Sequence, residues 1–365
     1  MTRSVLHVLN GERGLDTYPS VYNAMHVLAE HGWENHIITG GAIDGFQSII
    51  KRNHRFDGGY VRRAFQLSRL GGDFDLVILY EPRDVEIYQL SRLLGGRMNV
   101  KHLVHHSLEI PTEILGRYGL KKIVHCFLYR GYRHIDHLII QDEARQNLLY
   151  GCFPDLRKAG CTFVPNSYLP DMEPVAEFVP WFDEIRQSGR RIVIYTGAIE
   201  RWALSLELFM NIRDMEDVSF VFSGWSYDGF AEEAISLCRD AKHICFDLRM
   251  KSRSELNYIV KNSDLGLLFY DSADKNVAVI GLSSGKLHKY LSYGKPIVVN
   301  DVPSMKSFLE GNGFGLAGPP EEIPSVINKI LGDYENYTKR VNDRYFSLID
   351  FRASYGQFIV RLVTE

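Results

Sequence analysis

Short apolar runs of the length of a buried β-strand recur along the whole chain and alternate with segments of helical spacing. The first run, Val5–Leu9, ends in a loop that contains glycine, and Tyr22, Met25 and Leu28 then recur at helical spacing. Strands are predicted at 5–9, 35–39, 74–80, 100–104, 135–140 and 161–166, and then at 191–196, 218–222, 243–247, 264–270 and 297–299. Strands that alternate with helices are typical of parallel sheets, so the pattern predicts an α/β fold.

A proline-rich, acidic stretch separates the two series of strands. Pro170, Pro174 and Pro180 interrupt it, and the strand pattern begins again at Arg191. The 365 residues suffice for two domains of ordinary size. We predict two Rossmann-like domains, with boundaries at 1–168 for the first domain, 169–190 for the linker, 191–345 for the second domain and 346–365 for a final helix.

The stretch Leu282–Pro296 is the most informative segment of the chain. It indicates a loop of small residues, a two-turn helix and, after Gly294, a stop before the next strand. Ser283 or Ser284 is suited to the N-cap position. Lys286 falls in the first turn, where free amides and the helix dipole favour an anion such as phosphate. A plain helix cap without a ligand is the alternative interpretation of the same residues.

The pattern Ser-x-Lys-Leu-x-x-Tyr-Leu-x-x-Gly-Lys-Pro-Ile-Val, at 284–298, resembles the donor-binding segment of GT-B glycosyltransferases, in particular the retaining family 4-like enzymes. Tyr-x-Gly-Ala-Ile-x-x-Trp at 195–202 is similar to a variant of that family's first loop, and Val-Pro-Asn at 164–166 to the end of its first domain. The resemblance implies two Rossmann-like domains that face each other across a cleft. It also implies that the final helix crosses back to the first domain.

The resemblance further implies a donor site in the C-terminal half. In the family, the first-loop glycine and a basic residue face the diphosphate, which suits Gly197 and Arg201 here. Two family residues are absent, because Leu206 stands near the usual second basic position and Lys289 replaces the glutamate that holds the ribose. The expected donor-binding residues are Gly197, Arg201, Trp202, Ser223, Gly224, Leu248, Arg249, Asn276, Ser283, Ser284, Lys286 and Lys289.

The N-terminal half is expected to bind the acceptor. The expected acceptor-binding residues, Gly14, Glu81 and His105, follow predicted strands, where ligands sit in open α/β sheets. His106 and Glu109 resemble residues that face the transferred sugar, although either histidine could equally be a surface or capping residue. The expected catalytic residues are His106, Glu109, Arg201 and Lys286, the last two as the charges that stabilise the leaving diphosphate. No metal ligand and no cofactor are predicted, with the nucleoside-diphosphate sugar as co-substrate.

Composition narrows the class of protein. The net charge of −3 argues against a nucleic-acid partner, and the basic clusters at 51–55 and 62–63 are better explained as solvated faces. Five cysteines without metal-site spacing favour reduced thiols, and no apolar run is long enough to span a bilayer. The segment 115–133 mixes aromatic, aliphatic and basic residues, so it could contact a membrane surface or pack on its own sheet. A cytoplasmic location is predicted, with peripheral contact at the inner membrane face as an option.

These observations favour a glycosyltransferase that moves a sugar from a nucleoside diphosphate to a hydroxyl of a glycan, lipid-linked or small-molecule acceptor. The family's habits imply retention of configuration and a place in polysaccharide biosynthesis. Two alternatives remain because two family donor residues are absent. One is a nucleotide-sugar epimerase, and the other is an inactive GT-B accessory or glycan-binding subunit.

Overall fold

A computed structural model describes residues 3–112, 127, 129–270 and 275–364. The chain divides into two compact units, and each is described separately. Unit 1 comprises Met1–Asn166 and Asp350–Glu365, and unit 2 comprises Ser167–Ile349. Asp350–Glu365 therefore belongs to the unit that contains the N-terminus.

Unit 1 is built on a parallel sheet of seven strands. The strands are β1 (Arg3–Leu9), β2 (Trp33–Thr39), β3 (Ile50–Arg55), β4 (Gly72–Leu79), β5 (Met98–His106), β6 (His137–Ile140) and β7 (Gly160–Phe163), in the order β3-β2-β1-β4-β5-β6-β7. The helices are α1 (Pro19–Glu30), α2 (Tyr60–Leu70), α3 (Pro82–Leu93), α4 (Glu143–Cys152) and, as the last helix of the chain, α14 (Phe351–Thr364). Apolar residues of β1, β4, β5 and β6 form a buried core on one face of this sheet.

Unit 2 repeats the architecture with a parallel sheet of six strands. The strands are β8 (Arg191–Ala198), β9 (Val218–Trp225), β10 (Ile244–Asp247), β11 (Leu265–Leu268), β12 (Ile297–Val299) and β13 (Gly315–Ala317), in the order β10-β9-β8-β11-β12-β13. The helices are α5 (Pro180–Arg186), α6 (Leu206–Ile212), α7 (Phe230–Leu237), α8 (Arg253–Lys261), α9 (Lys275–Ala278), α10 (Gly285–Ser292), α11 (Pro303–Asn312), α12 (Ile323–Gly332) and α13 (Tyr334–Leu348). The predicted α/β class, with two parallel sheets, is confirmed.

The sequence pattern missed the edge strands β3 and β13. β3 contains the basic cluster at 51–55, which was assigned to a solvated face, and its residues are mostly exposed. An edge strand needs few apolar residues and commonly carries charge, so its pattern resembles that of a loop. The predicted linker at 169–190 lies in unit 2, where Val179 and Phe182 are buried in the core.

Two glycines allow close packing in the second sheet. A Cβ at Gly224 would lie 1.7 Å from the carbonyl oxygen of Gly197 on the neighbouring strand. A Cβ at Gly266 would lie 2.2 Å from the ring of Tyr290 on α10. These contacts bring β8 against β9 and α10 against β11, and they fix where the ends of these elements lie.

Candidate functional site

The start of α10 is held by side chains on both sides of it. Ser284 is the N-cap: its Oγ accepts from the amide of Leu287 at 3.2 Å and lies 2.9 Å from the hydroxyl of Tyr270. The hydroxyl of Ser283 instead donates to the carbonyl of Ile280 at 2.7 Å. Of the two serines that suit the N-cap, Ser284 takes the position. The first amides of α10 have no acceptor within the helix, as is usual at a helix start.

Lys286 lies in the first turn of α10 without a carboxylate partner among the described residues. Its ammonium donates to the hydroxyl of Tyr195 at 3.3 Å. The same nitrogen lies 4.5 Å from the ring centre of Tyr195 and 4.8 Å from that of Tyr270. Burial lowers the pKa of Lys286 to about 7. An anion at this position would therefore find a partly buried amine whose charge is not neutralised by any acid that the structure describes.

Backbone rather than side chain lines the ends of β8 and β9 next to this amine. A Cβ at Gly197 would lie 3.6 Å from the Nζ of Lys286, and the φ of Gly197 is +119°, which favours glycine. Gly224 pairs with Gly197 across the two strands. The hydroxyl of Ser223 is buried and has no hydrogen-bond partner among the described residues. The arrangement leaves bare backbone at the carboxyl end of a parallel sheet, where ligands bind in such folds.

Lys289, one turn further along α10, lies in a buried polar cluster. Its ammonium is 2.6 Å from the Oδ1 of Asn257, 3.7 Å from the Oε2 of Glu173 and 4.5 Å from the ring centre of Tyr168. Burial lowers the pKa of Lys289 to about 8, although the charge of Glu173 acts in the opposite direction. The charge of this lysine is thus matched within the protein.

Carboxylates gather at the carboxyl edge of the sheet in unit 1. Asp84 is buried and accepts from the amides of Asn10 at 2.8 Å, Tyr80 at 3.1 Å and Glu81 at 2.7 Å. The carboxylate of Glu81 in turn caps α3. Burial and the charge of Glu109 raise the pKa of Glu81 to about 7. The ends of β1, β4 and β5 therefore meet at a carboxyl group that exchanges a proton near neutral pH.

Both predicted histidines at the end of β5 are completely buried. His105 places its Nδ1 2.9 Å from the carbonyl oxygen of Leu79. His106 lies between the rings of Tyr80 and Tyr355, and neither of its ring nitrogens has a hydrogen-bond partner among the described residues. Burial lowers the pKa of His105 to about 4 and that of His106 to about 3. Both imidazoles are therefore uncharged at neutral pH.

No family model matches the sequence, and neither does any curated protein. Solved structures match it over nearly the whole length. A trehalose-6-phosphate protein from E. coli, bound with UDP-2-fluoro glucose, is 12% identical with a TM-score of 0.73, and the match covers 98% of each chain. HepE from Anabaena, in complex with UDP and glucose, and sucrose-phosphate synthase from Thermosynechococcus elongatus are each 12% identical with TM-scores of 0.69, over 99% of each chain.

The chain has the GT-B fold. The fold that the motifs of unit 2 implied is thus confirmed. The sequence identity to these structures is low, so the short motifs and not the overall sequence similarity indicated the fold. The roles of individual residues in this GT-B chain remain predictions.

Arg201 and Trp202, in the loop after β8, both contact acidic side chains of unit 2. The guanidinium of Arg201 pairs with the carboxylate of Glu233, and its side chain is 55% exposed. The indole of Trp202 donates to Glu200 at 2.5 Å. Arg201 and Lys286 share no hydrogen-bond or ion-pair partner in the part of the chain that the structure describes. A role for Arg201 at the diphosphate would require it to leave Glu233.

Three of the other predicted donor residues lie in a loop and in a short helix of unit 2. Arg249 forms two hydrogen bonds to the carboxylate of Asp247, at 2.9 and 2.6 Å. Burial would raise the pKa of Asp247, but these bonds outweigh it and lower the pKa to about 2. Leu248 is partly exposed beside this pair, and Asn276 lies half-buried in the short helix α9.

Gly14 and the loop after β1 lie at the same edge of unit 1 as the carboxylates. Gly14 precedes a 3-10 helix at Leu15–Thr17. The buried Arg63 of α2 donates to the carbonyl and side-chain oxygens of Asn10 at 2.7 Å and pairs with Glu12. The assignment of the cluster at 62–63 to a solvated face is thus wrong for Arg63, because its guanidinium holds this loop.

The segment 115–133, with its predicted membrane contact, lies mostly outside the described residues. Its described end, Tyr129–His134, forms a 3-10 helix in which Tyr129 and Tyr132 are buried. None of the described helices has the length and apolar character needed to cross a bilayer.

An Asp-x-Asp triplet at 73–75 lies in the first half of β4, at the opposite end of that strand from Glu81. Asp75 accepts a hydrogen bond from the amide of Ser4 at 3.0 Å.

Sequence reasoning missed the side chains that surround the two lysines. Tyr195 stands two residues before Gly197 in β8, so a strand periodicity of two would have placed it on the same face as that glycine. Tyr270 stands two residues after the last residue of β11, at the carboxyl end of the sheet. No local signal points to Glu173 or Asn257, because they reach Lys289 from distant parts of the chain.

Proposed function

We propose that the chain is a glycosyltransferase that uses a nucleoside-diphosphate sugar. Unit 2 binds the donor, and its diphosphate lies at the start of α10. In the reaction, the bond between the anomeric carbon and the diphosphate oxygen breaks and a bond to the acceptor oxygen forms. The acceptor hydroxyl releases its proton, which passes to solvent, and the nucleoside diphosphate leaves with the electron pair of the broken bond.

The observation that carries the proposal is the environment of Lys286. Its ammonium has no carboxylate partner among the described residues and lies beside the bare backbone of Gly197. It also stands in the first turn of a helix, where amides favour an anion. A positive group placed in this way stabilises charge that develops on a leaving diphosphate. Two GT-B neighbours support the choice of ligand, since one is bound with UDP-2-fluoro glucose and the other with UDP and glucose.

Unit 1 binds the acceptor in this proposal. Glu81 and Glu109 influence each other at the carboxyl edge of its sheet, and the pKa of Glu81 lies near 7. A carboxyl group in that range can accept a hydrogen bond from a sugar hydroxyl when ionised and donate one when protonated. The acceptor is therefore expected to be a polyol, as part of a glycan, a lipid-linked sugar or a small molecule. We further propose retention of configuration, and catalysis without a metal or another cofactor.

A thermal-shift screen against UDP, GDP, ADP, TDP and CMP, alone and as their sugars, tests the donor site. A ligand that binds only the folded state raises the melting temperature with its concentration. We expect one nucleoside diphosphate to raise it, and the shift to be lost in Lys286→Met. Lys251→Met is a matched control, because that ammonium already lies 3.2 Å from the carboxylate of Asp247. The absence of a shift with every nucleotide would contradict the proposal.

Product analysis then separates the candidate activities. For a metal-independent transferase, we expect release of the nucleoside diphosphate only when an acceptor is added. The rate of release should be the same in EDTA. An isomerised nucleotide sugar formed without an acceptor would identify an epimerase. Nucleotide binding without turnover on a panel of glycan acceptors would favour an accessory subunit. The anomeric configuration of the product, read by NMR, tests retention.

A further inference from the structure

Two tyrosines enclose the ammonium of Lys286. The nitrogen lies 4.5 Å from the ring centre of Tyr195 and 4.8 Å from that of Tyr270, within the range of a cation–π contact. It also donates to the hydroxyl of Tyr195 at 3.3 Å. The two rings come from the end of β8 and from the residues after β11, so two neighbouring strands supply them.

The two rings are themselves held in place. The hydroxyl of Tyr195 donates to the carbonyl of Ala198 at 2.7 Å, and that of Tyr270 lies 2.9 Å from the Oγ of Ser284. Both tyrosines are buried. One ring is thus bonded to the last residue of β8, and the other to the N-cap of α10. The position of the ammonium is therefore linked to both backbone segments that face the proposed phosphate.

No other charged group faces the ammonium among the described residues. On α10, the imidazole of His288 is bonded to Tyr345 and Leu282, and the ammonium of Lys289 to Asn257. From the loop after β8, the carboxylate of Glu200 accepts from the indole of Trp202. Within the described ranges, the environment of Lys286 thus combines aromatic faces and one hydroxyl, without a competing anion.

We propose that Tyr195 and Tyr270 are positioning residues of the donor site: they hold the Lys286 ammonium between their rings, unneutralised, so that it pairs with a donor phosphate. This inference rests on the proposed function. A side chain that is already ordered loses less conformational freedom when the ligand binds. A carboxylate in place of either ring would instead compete with the phosphate for the same charge.

The enclosure links donor binding to a proton. Burial lowers the pKa of Lys286 to about 7 in the free protein, whereas a bound diphosphate favours the charged amine and raises the pKa. Above pH 7, binding must therefore take up a proton, and the affinity falls with pH by at most about tenfold per unit. A nucleotide sugar is the suitable probe, because its diphosphate is esterified on both sides and has no proton to lose in this range.

The test is calorimetric titration at pH 6.5, 7.5 and 8.5 with UDP-glucose, GDP-mannose, ADP-glucose and dTDP-glucose. For the wild type, we expect the affinity of the bound nucleotide sugar to fall above pH 7. For Tyr195→Leu and Tyr270→Leu, the affinity at pH 6.5 falls about two- to tenfold, and its decline begins at a lower pH, because the ring faces and the Tyr195 hydroxyl favour the charged amine. Tyr270→Phe keeps the ring and stays within about twofold of the wild type with the same profile.

Tyr334→Leu is the matched control, because it removes a ring that lies 4.4 Å from the guanidinium of Arg191, away from Lys286. Its affinity and pH profile should equal those of the wild type. Binding by the wild type, with the same affinity and profile in both leucine variants, would overturn this inference and leave the proposed function intact. Binding of none of the four nucleotide sugars would overturn both.

A second measurement covers the case in which the leucine variants fail to fold. Reductive ¹³C-methylation of the wild type, with the Lys286 signal assigned from its loss in Lys286→Arg, follows this amine by NMR without any ligand. We expect its signal to titrate at least two pH units below those of exposed lysines. If the Lys286 signal titrated in the same pH range as those of exposed lysines, the inference that the two tyrosines enclose its ammonium would be overturned.

Discussion

The first and last turns of α10 each carry a lysine, and the two residues differ in the partners that the fold brings to them. Lys286 lies between two tyrosine rings and has no carboxylate partner among the described residues. Lys289 lies 3.7 Å from the carboxylate of Glu173 and 2.6 Å from the side chain of Asn257. The position of a lysine in a binding motif therefore does not determine whether its charge can bind a ligand. The charge is available to a ligand only where the rest of the chain leaves it unmatched.

The difference between the two lysines also predicts which substitution lowers the stability of the fold and which does not. Removing one member of a buried ion pair leaves the other charge without compensation, which is costly. Removing a buried charge that has no acid partner relieves a desolvation penalty instead. Substitutions at the two positions should therefore have opposite consequences.

The largest effect is expected on the stability of Lys289→Met. Glu173, whose side chain is 4% exposed, loses the ammonium that lies 3.7 Å from it but keeps the hydrogen bond from the Nδ2 of Asn257 at 2.8 Å, so the free energy of unfolding should fall by about 3 kcal/mol, the lower end of the range for a broken buried pair. Urea denaturation at pH 7 measures the change. Lys289→Met combined with Glu173→Gln should recover part of the loss, and Lys286→Met should not be destabilised. A loss below about 1 kcal/mol in Lys289→Met would show that the pair is solvated.

The next effect is expected on donor affinity. Lys286→Met should weaken binding of the nucleotide sugar by about 30- to 150-fold, which corresponds to about 2–3 kcal/mol for a hydrogen bond to a charged group. Lys289→Met, titrated by calorimetry at a temperature where it stays folded, should bind within about threefold of the wild type. Equal losses in both variants would show that Lys289 reaches the donor and would support its predicted donor-binding role.

The smallest change, when it is compared one pH unit at a time, is expected in the pH dependence of stability. Because the pKa of Lys286 is about 7 in the folded state and 10.5 is its ordinary value, the unfolded chain binds more protons between these limits. The free energy of unfolding should therefore rise with pH from about 7 towards 10.5, by at most about 1.4 kcal/mol per unit.

Chemical denaturation of the wild type and of Lys286→Met across this range gives the difference directly. The variant should lack the rise. Glu81 provides the opposite sign: its pKa is raised from 4.5 to about 7, so its contribution to stability falls as pH rises between those values. Glu81→Gln should remove that fall. Parallel curves for the wild type and Lys286→Met would contradict the low pKa of this lysine.

The sequence predicted those parts of the molecule whose determinants are local. Central strands consist of apolar residues, and the N-cap, the first-turn lysine and the terminating glycine of α10 lie within one short segment. The strands β3 and β13 were missed because edge strands have weaker patterns. The surroundings of His106 could not be inferred either, since Tyr355, which covers it, belongs to the last helix of the chain.

Lys289 marks the limit of motif reasoning. Resemblance predicts that it belongs to the donor site, in place of the glutamate that holds the ribose. The structure instead joins it to Glu173 and Asn257, contacts that depend on how three separate segments fold together. A local pattern identifies a position in a motif but cannot supply its long-range partners.

The chain passes between the two units at 166–167 and again at 349–350, and α10 is attached to the approach to each passage. Lys289 bonds to Glu173 on the first, while the neighbouring His288 lies 2.9 Å from the hydroxyl of Tyr345 on the second. Opening of this two-turn helix would release both approaches at once. They thus belong to a single cooperative unit of local unfolding, whose amides should gain protection from hydrogen exchange together when a ligand stabilises α10.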